Sequence, residues 1–183
     1  MKHFIISKNS LQPSVWDGGK TYEYFIYPPE ATYAKRDFLF RVSAASIEKT
    51  PSYFTRFENY QRFLVMLDND LHIQRNSKKE RYKKEEIFSF DSNDEIISQT
   101  LGNDFNLMVA KEKVISNVCF ADNLSSSHDF IFVYATQNVK ITFKESEVDL
   151  LKGDVFFVKN VKEESLSLIA SARCIIAFVG LIR

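Results

Sequence analysis

The dominant pattern along this chain is alternation of apolar and polar positions with a period of two, interrupted every few residues by turn formers. In FLFRVSAASI, Phe38–Ile47, one face carries Phe38, Phe40, Val42 and Ala44, and the other Leu39, Arg41, Ser43 and Ala45. RFLVML and LHIQ flank Asp68-Asn69-Asp70, residues that tolerate tight turns, so Arg62–Gln74 is predicted as a β-hairpin. FIFVYA and VKITF flank Thr136-Gln137-Asn138 in the same way, and Gly153-Asp154 marks a turn within EVDLLKGDVFFVKN. The two candidate hairpins can be laid over one another with one extra turn residue in the second, a weak internal repeat. Residues 94–101 fit one helical turn or a short strand, and the charged run RNSKKERYKKEE is expected to be a solvated loop. Closely spaced strands rich in β-branched and aromatic residues predict an all-β sandwich or barrel.

Composition narrows the function classes. With 183 residues, 45% of them hydrophobic and 17 of them phenylalanine, the chain can bury one large core or two small ones. Lys+Arg and Asp+Glu balance at 24 each, so the basic footprint of a nucleic-acid binder is missing. No apolar run is long enough to span a bilayer, and MKHFIISKNS has too short an apolar centre for a signal peptide. The expectation is a cytoplasmic protein with no nucleic-acid or membrane partner. Cys119 and Cys174 lie far apart among apolar neighbours, as buried thiols do.

The chemistry of familiar enzymes is not legible. His3, His72 and His128 are scattered, and the strand His72-Ile73-Gln74 offers one imidazole where a metal-dependent β-barrel enzyme usually offers two. No metal and no cofactor are therefore expected. No nucleophile elbow, phosphate loop or dinucleotide fingerprint occurs, and no catalytic residue is assigned.

Four stretches do stand out, because polar side chains interrupt strands that otherwise read as buried. They are Asp17–Glu23 (DGGKTYE), Arg41-Val42-Ser43, Tyr60-Gln61-Arg62 and Asp104–Met108, where alternation groups Asp104, Asn106 and Met108. An arginine on an inner strand face needs an anion from the protein or from a ligand. One arrangement pairs Arg41 or Arg62 with Asp104 or Glu23 as an internal staple, and spacing alone favours it. Another forks one arginine onto a ligand carboxylate, with Asn106, Ser43 or Thr21 adding hydrogen bonds. A third turns Arg41 to solvent. Gly18-Gly19 would let backbone approach closely at one rim of such a site, or simply form a tight turn.

Taken in order, these motifs resemble the HutD/Ves family of cupin-like proteins. The resemblance rests on WDGGKTYE, FLFRVSAAS, SYFTRFENYQRFLVMLDNDLHI, FSFDSND and DFNLMV, covering roughly residues 15 to 108. It implies a bicupin, two double-stranded β-helix (jelly-roll-type) barrels in one chain with no obligatory metal. The boundaries expected are 1–108 for an N-terminal barrel with the ligand pocket and 109–183 for a C-terminal barrel, with strands exchanged between the halves. It implies a small-molecule-binding protein that senses a carboxylated amino-acid catabolite, such as an intermediate of histidine degradation. The matched polar positions are Thr21, Glu23, Arg41, Ser43, Arg62, Asp104 and Asn106, with Gly18 and Gly19 as a backbone rim. Arg41 and Arg62 would anchor the carboxylate and Asp104 would orient them. The expected partner is that metabolite, and the expected state a monomer or homodimer. The rival readings are a cofactor-free isomerase or lyase using Glu23 or Asp104 as general base, and a protein-interaction module.

Overall fold

The computed structural model describes residues 1–160 and 164–183. Alternation becomes strand throughout, and the strands are numbered in chain order. β1 is Lys2–Ile6. The next five are β2 (Ser14–Trp16), β3 (Gly19–Tyr27), β4 (Phe40–Ile47), β5 (Ser52–Tyr53) and β6 (Tyr60–Met66). β7 (Leu71–Arg75), β8 (Lys78–Tyr82), β9 (Ile87–Asp91), β10 (Ile96–Ser98) and β11 (Gly102–Ala110) follow. The last six are β12 (Val114–Ser126), β13 (Phe130–Tyr134), β14 (Val139–Phe143), β15 (Ser146–Leu150), β16 (Val155–Lys159) and β17 (Leu166–Leu181). Among the described residues no helix is long and apolar enough to cross a membrane.

The chain divides into two compact units, Leu11–Lys113 and Met1–Ser10 together with Val114–Arg183. Residues 1–10, expected with the first unit, belong to the second because β1 runs antiparallel to β16, from Lys2 opposite Lys159 to Ile6 opposite Val155. That second unit is a single sheet in the order β1-β16-β13-β17-β14-β15, with β12 also on β17. Its core gathers Ile131, Val133, Ile141, Phe156, Leu168, Cys174 and Ile176. The unit at 11–113 has a six-stranded sheet, β2-β3-β4-β11-β6-β9, and a four-stranded one, β5-β10-β7-β8. Ile47, Leu64 and Met66 of the larger sheet pack with Leu71, Ile73 and Ile96 of the smaller one.

Neither predicted hairpin forms a two-stranded ladder. β6 pairs with β9 and β11, whereas β7 pairs with β8 and β10. The turn Asp68-Asn69-Asp70 instead carries the chain round a corner from one sheet to the other. Asp68 Oδ2 accepts from Asn103 N at 2.9 Å, and Asn69 Nδ2 donates to Leu101 O at 2.9 Å, which ties this corner to the start of β11. β13 and β14 likewise pair with other strands, β16 and β17 for the first, β15 and β17 for the second. Turn residues suit a corner as well as a hairpin, and alternation does not encode the partner strand.

The charged run is not all loop. Asn76 and Ser77 adopt φ 46° and 71°, the left-handed geometry of a tight hairpin turn, and Lys78–Tyr82 returns as β8 beside β7. β8 is an edge strand, and its exposed Lys78, Lys79 and Arg81 disfavour further pairing. Residues 96–98 take the strand alternative as β10.

One of the two adjacent glycines is fixed by this architecture. Gly19 sits opposite Ile47 at the start of β3, with φ +153°, and a Cβ there would lie 1.9 Å from Ser46 O on β4. Close backbone approach requires a residue with no side chain. Gly19→Ala is expected to cost about 3 kcal/mol through strain and strand separation. Gly180→Ala, whose Cβ would meet nothing nearer than 3.6 Å, should change stability much less. Urea-denaturation midpoints of the two variants check this; equal midpoints would contradict it.

Candidate ligand-binding site

The pairing of β3, β4, β11 and β6 arranges the polar residues in rows on one face. Arg41 lies opposite Met108, which lies opposite Arg62. In the next row Glu23 faces Ser43, Ser43 faces Asn106, and Asn106 faces Leu64. Beyond it run Thr21, Ala45, Asp104 and Met66. Neighbouring strands stand about 5 Å apart, so two guanidinium-bearing positions flank Met108 at about 10 Å from each other. The opposite face of the same strands carries Phe40, Val42, Phe105 and Leu107, all fully buried. Alternation alone therefore separates a polar row set from an apolar one.

A cavity of about 330 Å³ opens against this polar face. Of the residues expected at a site, Thr21, Arg41, Ser43, Arg62, Asp104 and Asn106 all line it. Glu23 does not: its carboxylate is turned onto Arg41, accepting from Nε at 2.6 Å. A bulge between Glu23 and Phe25 accompanies this, shifting the register by one residue so that Ile26, not Phe25, faces Arg41. Gly18 and Gly19 do not line it either. Gly18 instead seats Trp16, whose indole would lie 1.9 Å from any Cβ at that position, and Trp16 is the residue that reaches the cavity. Its Nε1 donates to Thr21 Oγ1 at 3.1 Å, fixing both side chains on the wall.

The two arginines are held differently. Arg41 is the staple: besides Glu23 it donates Nη1 to Ser43 Oγ at 3.3 Å and lies 4.5 Å from the centre of the Tyr33 ring. Arg62 is only 5% exposed, and among the described residues it has no ion pair. Nη2 donates to the carbonyl of Thr55 at 2.7 Å, and the group lies 5.6 Å from the Phe57 ring centre and 5.9 Å from that of Phe90. Its Nε is buried with no hydrogen-bond partner. Burial lowers the guanidinium's affinity for its proton, an effect opposed by the nearby Tyr33 and, more weakly, by the charge of Asp104. An arginine nonetheless stays charged in any physiological medium.

Asp104 is the unusual acid. It is 3% exposed, and its Oδ1 accepts from Ala45 N at 3.3 Å. Burial drives its carboxyl up to about 7, against the pull of the Ala45 N–H and the charges of Arg62 and Arg41, with Asp68 adding a push upward. Asn106 Oδ1 is buried without a partner. The cavity thus offers a buried cation, an orphan donor, an orphan acceptor and an acid balanced near neutrality.

Several wall residues carry no periodic signal. Tyr33 comes from the irregular stretch between β3 and β4, and Tyr53, Phe54 and Thr55 from β5 and the loop after it. An aromatic residue within a Pro-flanked polar loop, as in PPEATYAKRD, is the one sequence clue to Tyr33.

Comparison with known proteins places this geometry. A cupin 2 conserved barrel domain protein from Leptotrichia buccalis aligns with TM-score 0.58 at 10% identity, over 98% of this chain and 96% of the other. The chain thus has an all-β, cupin-like fold. HutD from Pseudomonas fluorescens SBW25, solved in a formate condition, aligns with TM-score 0.85 at 17% identity over 100% of both chains. A conserved protein of unknown function from Pseudomonas aeruginosa PAO1 gives 0.84 at 18% identity, again over 100% of both. The HutD family model matches residues 8–176, and the chain belongs to the HutD family. No curated protein matches it in sequence.

Two outcomes test the wall. Gly18→Ala should evict the indole and shift the emission of the protein's one tryptophan, leaving an unshifted spectrum as the contrary result. For Asp104 the sign follows from its raised folded-state value: the folded chain holds this proton more tightly than the unfolded chain. Its contribution to stability is complete below the unfolded value of 3.8 and lost as pH rises through about 7. The stability of wild type relative to Asp104→Asn should therefore fall by up to about 4 kcal/mol between acid and mildly alkaline pH. Denaturant titrations of both proteins across that range check it, and a pH-independent difference would refute it.

Proposed function

We propose that the unit at residues 11–113 binds a small carboxylated metabolite in this cavity without a metal ion, and that the protein senses rather than transforms it. The observation that carries this reading is Arg62: a buried guanidinium that, among the described residues, has no ion-pair partner and whose Nε has no acceptor. Arg41 is already neutralised by Glu23, so the uncompensated charge of the cavity belongs to Arg62. A ligand carboxylate would supply the missing anion through charge-assisted hydrogen bonds. Thr21, Ser43 and Asn106 stand along the same face as further hydrogen-bond partners, and Arg41 as a second, pre-oriented cation. The volume suits a small molecule, and Trp16, Tyr33 and Phe54 favour a skeleton with a flat or apolar part.

In this reading the protein is a cytoplasmic bicupin, its two units being two double-stranded β-helix barrels, and it acts as a monomer or homodimer. Family membership makes an amino-acid catabolite, and histidine-degradation intermediates first, the ligands to test.

A second reading has one observation in its favour. Asp104 lines the cavity with a carboxyl near neutrality, the condition for a general base in a cofactor-free isomerase or lyase. Glu23 is a poor candidate for that task, being closed against Arg41 and off the cavity wall. Turnover of a carboxylated substrate that disappears in Asp104→Asn would favour this alternative.

The direct test is calorimetric titration with N-formylglutamate and urocanate, read in parallel by Trp16 fluorescence. Binding by wild type and weakening by about ten- to a hundredfold in Arg62→Met are expected, as for loss of a charged hydrogen-bond partner. Undiminished affinity in a folded Arg62→Met protein, or no heat from either compound with native wild type, would overturn the reading.

A further inference from the structure

We propose that the cavity takes up its anionic ligand together with one proton, which Asp104 holds and presents to the ligand as a hydrogen-bond donor. This rests on the carboxylate-binding reading and deepens it. Asp104 lies on the cavity wall two rows from Arg62, one row from Asn106 and directly across from Ala45. Its only hydrogen bond among the described residues runs from Ala45 N to Oδ1, so Oδ2 has no protein donor. No guanidinium stands within ion-pairing distance of it, although Arg62 shares the cavity. A second carboxylate entering this space meets an ionised Asp104 as a like charge, which favours a proton on Asp104.

The charged groups facing Asp104 can be enumerated by element. β6 contributes Arg62, and β4 contributes Arg41, itself paired with Glu23 of β3. The corner after β6 contributes Asp68, and the stretch before β4 brings Tyr33 beside Arg62. Two cations pull the carboxyl down, one partnered by Glu23, while burial and Asp68 push it up, and the outcome in the free protein lies at about 7. Arrival of a ligand anion adds to the upward push. The ligand, an ordinary carboxylic acid, is itself ionised throughout this range. The step balances as one ligand anion and one proton from solvent entering a site whose Asp104 was a carboxylate, giving a bound anion beside a neutral carboxylic acid. No other bond is made or broken. Asp104 then differs from an arginine-orienting residue: it touches the ligand, and as a donor.

The consequence is affinity that falls by up to about tenfold for each pH unit above neutrality. The experiment titrates formate and, separately, N-formylglutamate into the full chain at about pH 6, 7.5 and 9, each in two buffers of different ionisation enthalpy. Expected are uptake of close to one proton per ligand on the alkaline side and the corresponding loss of affinity. Asp104→Asn, the isostere of the neutral acid, should bind at every pH about as tightly as wild type does at about pH 6, with no proton uptake. Binding by wild type without proton uptake overturns this inference while leaving the carboxylate reading standing. Uptake that persists in Asp104→Asn also overturns it, since another group would then hold the proton. Failure of both probes to bind at any pH defeats the carboxylate reading and this inference together. The buffer comparison on wild type needs no variant, so a poorly folding Asp104→Asn does not remove the test.

Discussion

A guanidinium turned into the space between two sheets keeps its charge, and the surrounding chain has to be arranged around that fact. Left with neither acceptors nor a counter-ion, such a group would cost several kcal/mol. Around Arg62 the answer is assembled from distant segments. Phe54 N and Phe57 N donate to Ile96 O and Ser92 O, each at 3.0 Å, which lays residues 54–57 alongside β9 and β10. That placement brings the Thr55 carbonyl to Nη2 and the Phe57 ring to the guanidinium, while Phe90 arrives from β9, directly opposite Arg62 in register. Carbonyl and rings solvate the cation without neutralising it. The remaining positive charge is therefore a property of the cavity.

The contrast with Arg41 shows that the fold can neutralise an inward arginine. Glu23 closes on Arg41 at 2.6 Å, with a bulge in β3 beside it, and Ser43 and the Tyr33 ring complete the setting. The Arg41 end of its row is thus a finished ion pair of no net charge. The other end is a cation whose distant acid, Asp104, gains or loses a proton near neutrality. The Tyr33 ring lies against the Arg41 guanidinium, 4.5 Å from ring centre to Cζ.

How much of this the sequence discloses depends on the range of the interaction. Period two is local, so the sharing of one strand face by Arg41 and Ser43, and by Asp104, Asn106 and Met108, is readable from the residues themselves, but which way that face turns for Arg41 is not. The rows are not, because register across β4, β11 and β6 joins positions as far apart as Arg41 and Met108, and nothing local fixes it. The same limit explains the corner read as a hairpin at Asp68–Asp70, since both use turn residues and differ only in the partner strand. Gly18-Gly19 was visible as a special place but not for its reason. One glycine admits Ser46 O and the other admits an indole, and both are contacts made by atoms elsewhere in the chain. Tyr33 and Thr55 sit in irregular segments, and one of them contributes only a backbone carbonyl, which leaves no trace in residue identity.

The positions themselves argue that this polarity is not there for stability. Leu64 and Met66 occupy the same face of β6 as Arg62, and Met108 the same face of β11 as Asp104 and Asn106. The backbone at these sites accepts large apolar side chains, and those of Leu64 and Met66 join a continuous core with Leu71, Ile73 and Phe88. Extending that core over the rows of Arg62, Asn106 and Asp104 would remove an orphan Nε, an orphan Oδ1 and a carboxyl held far from its solution behaviour. Arg62 Nε, Asn106 Oδ1 and the Asp104 carboxyl line one cavity, whereas the other buried orphans among the described residues, Ser52 Oγ, Ser92 Oγ and Asn160 Oδ1, lie off it. A cation, an acceptor and an acid around one space are complementary chemistry that a ligand can complete, as a binding site requires. Leu64 and Met66 share rows with Asn106 and Asp104, so packing and binding are two tasks of one sheet face, set side by side.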